Sequence, residues 1–552
     1  MAYDSVIKNG IVVDGTGRPP FEADVAIEKG RIAEIGKIKG EARRTIDARG
    51  QVVAPGFIDA HTHYDAQLLW DPSANPANLH GVTTILMGNC GYTLAPVRPD
   101  DQSYLMGLFA AAEEIPKKAL EMHAPFPWET FPEYLQWMQG RSGVNLVAQI
   151  GHSAVRRYVM GADALERTAT EAEIKEMVRI AEEALDAGAA GISSSGAPHQ
   201  LGEHGEHIPS YFADTAELTA LAEAVRRKGG RLVSINPASK REGLNETDMA
   251  LLRKLADASG AVVSWNDFGM ASPKRDEILD FMEAELEQGR EIYAVARCQR
   301  PETRFTLKKV SSLLAACDGW PQYSNLSKEE KIAALTEPES RARLAAFWET
   351  EGRYMKNASV EKGVTPETKA LEDRLLIDIA EERGVTPADA MFDIALQDGL
   401  ETFFKITGPL NVDESPLERV LRSPATLVGI SDGGAHLQTF AGGDYTSYFL
   451  QHWVREKGSF TLEEGVAALT SRVADFLGLD DRGTLEVGKA ADITIFNPDT
   501  VGPLQLQTLD DIPGGGTRMT KAAQSINWVL VNGEPVIEDG VPTGAIPGQV
   551  LT

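Results

Sequence analysis

The stretch VVAPGFIDAHTHYD, residues 52–65, runs through apolar residues and ends in two histidines one residue apart. Successive side chains of a β-strand alternate between its faces, so residues i and i+2 share a face. Read as a strand over 52–61 followed by Thr62 and His63, the segment turns His61 and His63 to the same side. Two imidazoles so placed suit one metal ion, because zinc takes imidazole nitrogen readily. The plainer alternative is a strand that closes on polar residues with no ligand role.

Outward from this segment, seven more apolar runs are separated by helical patterns. They are TTILMGNC (83–90), VNLVAQIGH (144–152), GISSS (191–195), RLVSIN (231–236), AVVSWN (261–266), EIYAVARC (291–298) and ATLVGISD (425–432). Strands alternating with helices mark βα units around a parallel sheet. The helices carry their own punctuation: Thr170 and Glu173 make a capping box before IKEMVRIAEEALDAG, and Thr215 precedes AELTALAEAVRRKGG, which stops at Gly229. Eight strands predict an α/β fold of the TIM-type (β/α)8 barrel class, with the functional site at the strands' C-terminal ends.

The two ends of the chain read differently. VIKNGIVVDGTG and ADVAIEKGRIAEIG near the start, and GTLEVGKAADITIFNP and SINWVLVNGEPVIEDG near the end, alternate apolar with polar residues around Gly pairs. They predict one small β-sandwich domain built from residues 1–53 and 481–552, with the barrel over 54–480. The interval from about 300 to 424 is too long for one βα connection. Its segments KEEKIAALTEPESRARLAAFWETEG (328–352) and TKALEDRLLIDIAEERG (368–384) have helical period, so a helical insertion near the barrel mouth is expected.

A chain of 552 residues exceeds the about 250–300 at which single cores stop growing, which agrees with more than one domain. Hydrophobic residues at 43% and charged residues at 24% exclude a disordered or collagen-like chain. A net charge of −27, spread along the chain, makes nucleic acids and anionic membranes poor partners and leaves a small molecule as the expected one. No basic, apolar leader opens the sequence, and no 18 apolar residues run together. With three cysteines, Cys90, Cys298 and Cys317, too few for a disulfide framework, a cytoplasmic protein is expected, with a homo-oligomer left open.

Four further strand ends carry candidate chemistry. Cys90 closes the second strand, where a thiolate can join His61 and His63 on a metal; spacing alone leaves a buried inert cysteine equally open. Asp432 closes the last strand before two glycines, where a carboxylate can touch the metal, take a proton from water and return it to a leaving nitrogen; a helix N-cap is the bland alternative. His436 stands four residues on, as a substrate contact or a bystander. His152, with Arg156 in the following turn, suits a substrate carboxylate or a satisfied core histidine. The loop 195–212, with His199, His204 and His207 among glycines, reads as a lid. No GxSxG elbow, P-loop or GxGxxG follows a strand.

Taken together, GFIDAHTHYD, the GNC of MGNCGYTLAP, GHSAVR, ISDGGAHL and the closing GTLEVGKAADITIFNP resemble the D-aminoacylase branch of the amidohydrolase superfamily over nearly the whole chain, most loosely from about 196 to 420. The resemblance implies a β-sandwich plus barrel, zinc, and hydrolysis of an N-acyl amino acid, with His61, His63 and Cys90 as metal ligands and Asp432, which the strand-end reading also lets touch the metal, as general base and then acid. There is a departure: family members carry two more metal-binding histidines at the ends of strands five and six, in stretches like THMR and SHHK. This chain has VSINPASK (233–240) and VSWNDFG (263–269) there. Ser234, Asn236, Asn266 and Asp267 are poorer zinc ligands, so one divalent ion per chain is expected, zinc or another, with Asn236 and Asn266 facing substrate. Two other functions are carried forward: hydrolysis of cyclic or aryl amides, and a catalytically silent barrel that binds a small molecule.

Overall fold

The computed structural model describes residues 2–240, 243–269, 274–300, 302–310, 314, 317, 319–349, 355–407 and 414–552. Eight parallel strands form its central sheet in sequence order: β1 (Phe57–Asp59), β2 (Val82–Met87), β3 (Asn145–Gly151), β4 (Gly191–Ser195), β5 (Leu232–Asn236), β6 (Val262–Phe268), β7 (Ile292–Arg297) and β8 (Thr426–Gly429). The last strand returns to the first just past their ends, through a bridge between Thr62 and Gly433 and a bond of 2.7 Å from His63 N to Gly433 O. The sheet is thus a nearly closed barrel.

Seven strands each send a residue to one apolar cluster, Ile58, Leu86, Val147, Leu232, Val262, Val295 and Leu427, the packed interior a barrel of eight strands requires. Helices α1 (His152–Met160) and α2 (Glu171–Asp186) both follow β3, and α3 (Thr215–Lys228), α4 (Glu246–Ser259) and α5 (Arg275–Glu287) follow β4, β5 and β6. The Thr170–Glu173 capping box opens α2, whereas Asp214 rather than Thr215 caps α3, its side chain accepting from Glu217 N. Asp outcompetes Thr at that place because it brings a full charge to the helix N-terminus.

The stretch 52–61, read as one strand, is two. Val52–Pro55 belongs to the terminal sheet, pairing antiparallel with Ile493–Phe496, and β1 begins after Gly56. A Cβ at Gly56 would sit 2.1 Å from Thr83 Oγ1, so only glycine lets the chain pass from one sheet to the other there. The terminal sheet joins nine strands from both chain ends around Ile7, Val25, Ile27, Val53, Ile493 and Leu530.

The insertion differs from its expected form. Besides helices such as Lys328–Thr336 and Leu376–Arg383 it contains an antiparallel sheet of Glu302–Phe305, Phe403–Thr407 and Ala358–Lys362, packed over its own core with Trp320, Phe392 and Phe404. Strands of four or five residues far apart in sequence are too short to show a period. Residues 350–352, read as helix, lie outside the described residues. No helix among the described residues is long and apolar enough to cross a membrane.

Candidate metal centre

Register decides which side chains meet at the barrel mouth. Leu232 pairs with Val262 and Ser234 with Ser264, and since Leu232 and Val262 point into the interior cluster, two-residue alternation turns Asn236 and Asn266 inward as well. The same step from Val295 points Arg297 inward at the end of β7. His61 and His63 follow β1, and Cys90 follows β2 in a tight turn whose Asn89 amide donates to Thr62 O at 3.0 Å and Leu86 O at 2.9 Å, tying the two strand ends together.

These elements bring His61, His63 and Cys90, all buried, to ligand atoms within 4.8 Å of one another. Cys90 Sγ lies 3.7 Å from His61 Nε2, while Asp432 Oδ1 lies 3.4 Å from His61 Nε2 and 4.0 Å from His63 Nε2. Donors about 2.0–2.3 Å from one tetrahedral zinc stand roughly 3.3–3.8 Å apart, so this two-nitrogen, one-sulfur set fits such an ion with little movement. His63 Nδ1 is buried without a hydrogen-bond partner, 3.6 Å from Glu113 Oε1. Burial pushes His61 down to about 4 and His63 well below the ordinary imidazole value, so both rings are neutral, the state a metal needs. Burial likewise pushes the Cys90 thiol up to about 12, a cost that a coordinated cation reverses.

Charges encircle this set. Arg297 donates to Asp432 Oδ2 at 2.6 Å and to Asp267 Oδ1 at 3.2 Å. Burial would raise the Asp432 carboxyl, but the charge of Arg297, helped by His436, outweighs it and holds it well below the usual carboxylate range. His436 stands 3.5 Å from Glu114 and 3.9 Å from Glu113; burial alone would lower it, but Glu114, Glu113 and Asp432 push it up to about 9. All but Arg297 open onto a cavity of about 910 Å³. Six residues of its wall, Cys90, Glu114, Asp267, Ile430, Asp432 and His436, are non-glycines with φ between 48° and 63°. Backbone held in that region costs energy and concentrates where side chains must be aimed. The turn leaves no room at Gly434 (φ 86°), where a Cβ would lie 2.6 Å from the His63 carbonyl.

The residues named from sequence do not all meet here. His61, His63, Cys90, Asn266, Asp432 and His436 line the cavity, and Asn236 lies behind its wall with its amide 3.2 Å from Cys90 Sγ. His152 and Arg156 do not reach it, which corrects their reading as substrate contacts. His152 bonds Ser194 Oγ at 2.9 Å and Glu217 Oε1 at 2.7 Å, and Arg156 pairs with Glu217 and donates to Arg167 O at 2.8 Å, all within the packing of β4, α1 and α3. A strand end signals the barrel mouth, but β3 hands directly to α1 at His152, and the first turn of that helix faces α3. The loop 195–212 contributes His199 and Gln200 to the cavity wall and fastens Glu203 to Lys117 at 2.6 Å, while His207 stacks on Tyr211. Cys298 is buried, its thiol directed at Tyr445 O.

Sequence reading missed Glu113, Glu114, Lys240 and Arg297. Arg297 had a legible signal, the alternation from Val295 toward the β7 end. Glu113 and Glu114 had none, because they arrive from the loop after a helix (Gln102–Ala112) with no strand to place them.

Known proteins place the chain. The model of the Amidohydrolase family matches residues 44–537. A D-aminoacylase of Alcaligenes xylosoxydans xylosoxydans is 28% identical, covering 100% of this chain and 97% of its own. A solved D-aminoacylase, studied for one-metal activation and second-metal attenuation at its binuclear centre, superposes with a TM-score of 0.68 at 28% identity over 100% of both chains. So does the N-acyl-D-glutamate deacylase of Bordetella bronchiseptica, complexed with zinc and a phosphonate mimic of the tetrahedral intermediate, with a TM-score of 0.68 at 26% identity and 100% of both chains covered. With the family model matching most of the chain and solved relatives superposing over its full length, this chain belongs to the amidohydrolase family and is a hydrolase of carbon–nitrogen bonds other than peptide bonds.

Proposed function

We propose that this enzyme hydrolyses the linear amide bond of an N-acyl amino acid, D-configured or closely related, with one divalent ion, zinc by preference, held by His61, His63 and Cys90 and touched by Asp432. The observation that carries the reading is the convergence of those four side chains, from three strand ends, on the cavity. It is supported by the deacylase activity named for the full-length relatives.

Arg297 keeps Asp432 ionised and occupies Oδ2, leaving Oδ1 turned toward His61 and the cavity. That pairing also makes Asp432 a weak base, so the water it deprotonates must be acidified, which is the chemistry a divalent ion supplies when bound. The water oxygen adds to the amide carbonyl carbon as its proton passes to Asp432 Oδ1. The proton then goes to the amide nitrogen as the C–N bond breaks, giving a carboxylic acid and an amine. His436, held as a cation by Glu113 and Glu114, stands on the cavity wall where a substrate carboxylate finds a partner.

Asn236 and Asn266 stand at the ends of β5 and β6 and the one carboxylate there, Asp267, is paired with Arg297, so the donor set suits one ion rather than two. The test is turnover of N-acyl-D-amino acids, hydantoins and anilides by chelated and reconstituted enzyme, with metal content measured on the same samples. Release of amine from N-acyl amino acids at one ion per chain is the expected result. Two tightly held ions, or turnover of hydantoins or anilides alone, would refute it.

A further inference from the structure

The two asparagines share a cation. Lys240 Nζ lies 3.3 Å from Asn236 Oδ1 and 3.0 Å from Asn266 Oδ1, and the amide nitrogens on the far side of the same groups lie 3.2 Å and 3.5 Å from Cys90 Sγ. Asn266 Nδ2 is also 3.2 Å from His61 Nδ1. An amide has one acceptor and one donor end, and an ammonium can only donate. Lys240 therefore decides the orientation of both: oxygens toward itself, NH2 groups toward the sulfur.

The lysine is held for this. It ends a turn after β5 in which its N–H reaches Pro237 O at 3.3 Å and Gly243 N reaches its carbonyl at 3.4 Å. The adjoining Ser239 is pinned to Asp248 near the start of α4, with Ser239 N 3.2 Å from Asp248 Oδ2 and Ser239 Oγ 3.1 Å from Gly243 O. The side chain then runs inward to line the cavity. A lysine serving only solubility would extend into water, not between two buried amides.

Resting on the metal reading above, we infer that Lys240 is a positioning residue of the metal centre. Through Asn236 and Asn266 it aims two N–H donors at the Cys90 sulfur, and its own positive charge stands on the side where those two asparagines close β5 and enter the end of β6. Donors to a ligand sulfur draw charge from it and so set how strongly it donates to the ion, and such supporting contacts are worth about 10- to 100-fold in activity or metal affinity.

The experiment uses the full-length enzyme loaded with cobalt(II), whose thiolate-to-metal charge-transfer band reports directly on the Cys90 sulfur. Lys240→Met is expected to displace that band and to lower kcat about 10- to 100-fold while KM changes less than about threefold, and Lys240→Arg to recover part of both. Lys240→Gln, which keeps length and removes charge, repeats the test should the methionine variant fold poorly. An unmoved band with unchanged kcat, or a raised KM at unchanged kcat, overturns the inference, the latter by making Lys240 a substrate contact. A band equally present in Cys90→Ser, or absent from the unsubstituted enzyme, overturns the metal reading itself, an outcome distinct from the other two.

Discussion

Two buried polar clusters sit on neighbouring parts of the same barrel, and they are built on opposite principles. In the cluster of His152, Glu217, Arg156 and Ser194, every polar group except Arg156 Nε has a partner, and none of the four lines the large cavity. In the cluster of His61, His63, Cys90 and Asp432, His63 Nδ1 has no hydrogen-bond partner, the Cys90 sulfur meets His61 Nε2 only at 3.7 Å, and the surrounding backbone is strained. Buried polar groups are costly unless paired, so a closed network holds a fold together, while an open one persists only where something else completes it. From sequence both looked alike: a histidine at a strand end with charged residues near it.

The largest expected effect breaks the comparison at the open cluster. Asp432→Asn keeps shape and removes the proton acceptor, and should lower kcat by about 10²- to 10⁴-fold, measured at saturating substrate, with denaturant stability little changed. An unaltered kcat would end the role given to Asp432.

The closed cluster should answer in the other currency. Glu217→Ala strands Arg156 without its buried partner, and a loss of about 3–5 kcal/mol in unfolding free energy is expected by urea titration, with kcat/KM of the folded enzyme kept. If activity fell while stability held, the two clusters would have exchanged roles.

A smaller effect lies in pH. Burial would raise the Glu217 carboxyl, but the bond to His152 and the charges of His152 and Arg156 outweigh it and leave it below its ordinary 4.5. A depressed carboxyl contributes stability that is complete above the unfolded-state value and is lost as pH falls through the folded one. Melts of the unsubstituted enzyme should therefore fall more steeply below pH about 4.5 than those of Glu217→Gln, with no difference between their slopes at neutral pH.

The smallest effect is the sharpest on principle. Replacing His152, Arg156 and Glu217 together by apolar residues of similar volume should leave stability unchanged or slightly raised and activity intact, since a closed ion cluster can be exchanged for good packing. No apolar set should substitute for His61, His63 and Cys90 without abolishing turnover.

Much of this protein was legible in its sequence for a simple reason: periodicity and punctuation are local. The eight strands, the capping box at Thr170, the terminal strands and the paired histidines each announce themselves within about fifteen residues. His61, His63, Cys90 and Asp432 were readable because a strand end in a barrel always points to the same face. What the chain alone determined is therefore the list of strands and the residues that close them.

What only the tertiary structure decided is which of those residues face one another. His152 closes a strand yet turns into the packing of α1 and α3, because the helix begins at that residue and its first turn faces Glu217. Glu113 and Glu114 reach the site from a loop, and Lys240 reaches it from a turn anchored on α4, by contacts between segments that no local pattern connects. Arg297 meets Asp432 across 135 residues of sequence because β7 and β8 are neighbours in the barrel. Closure of the sheet makes these distances short, and closure is a property of the whole chain rather than of any window within it.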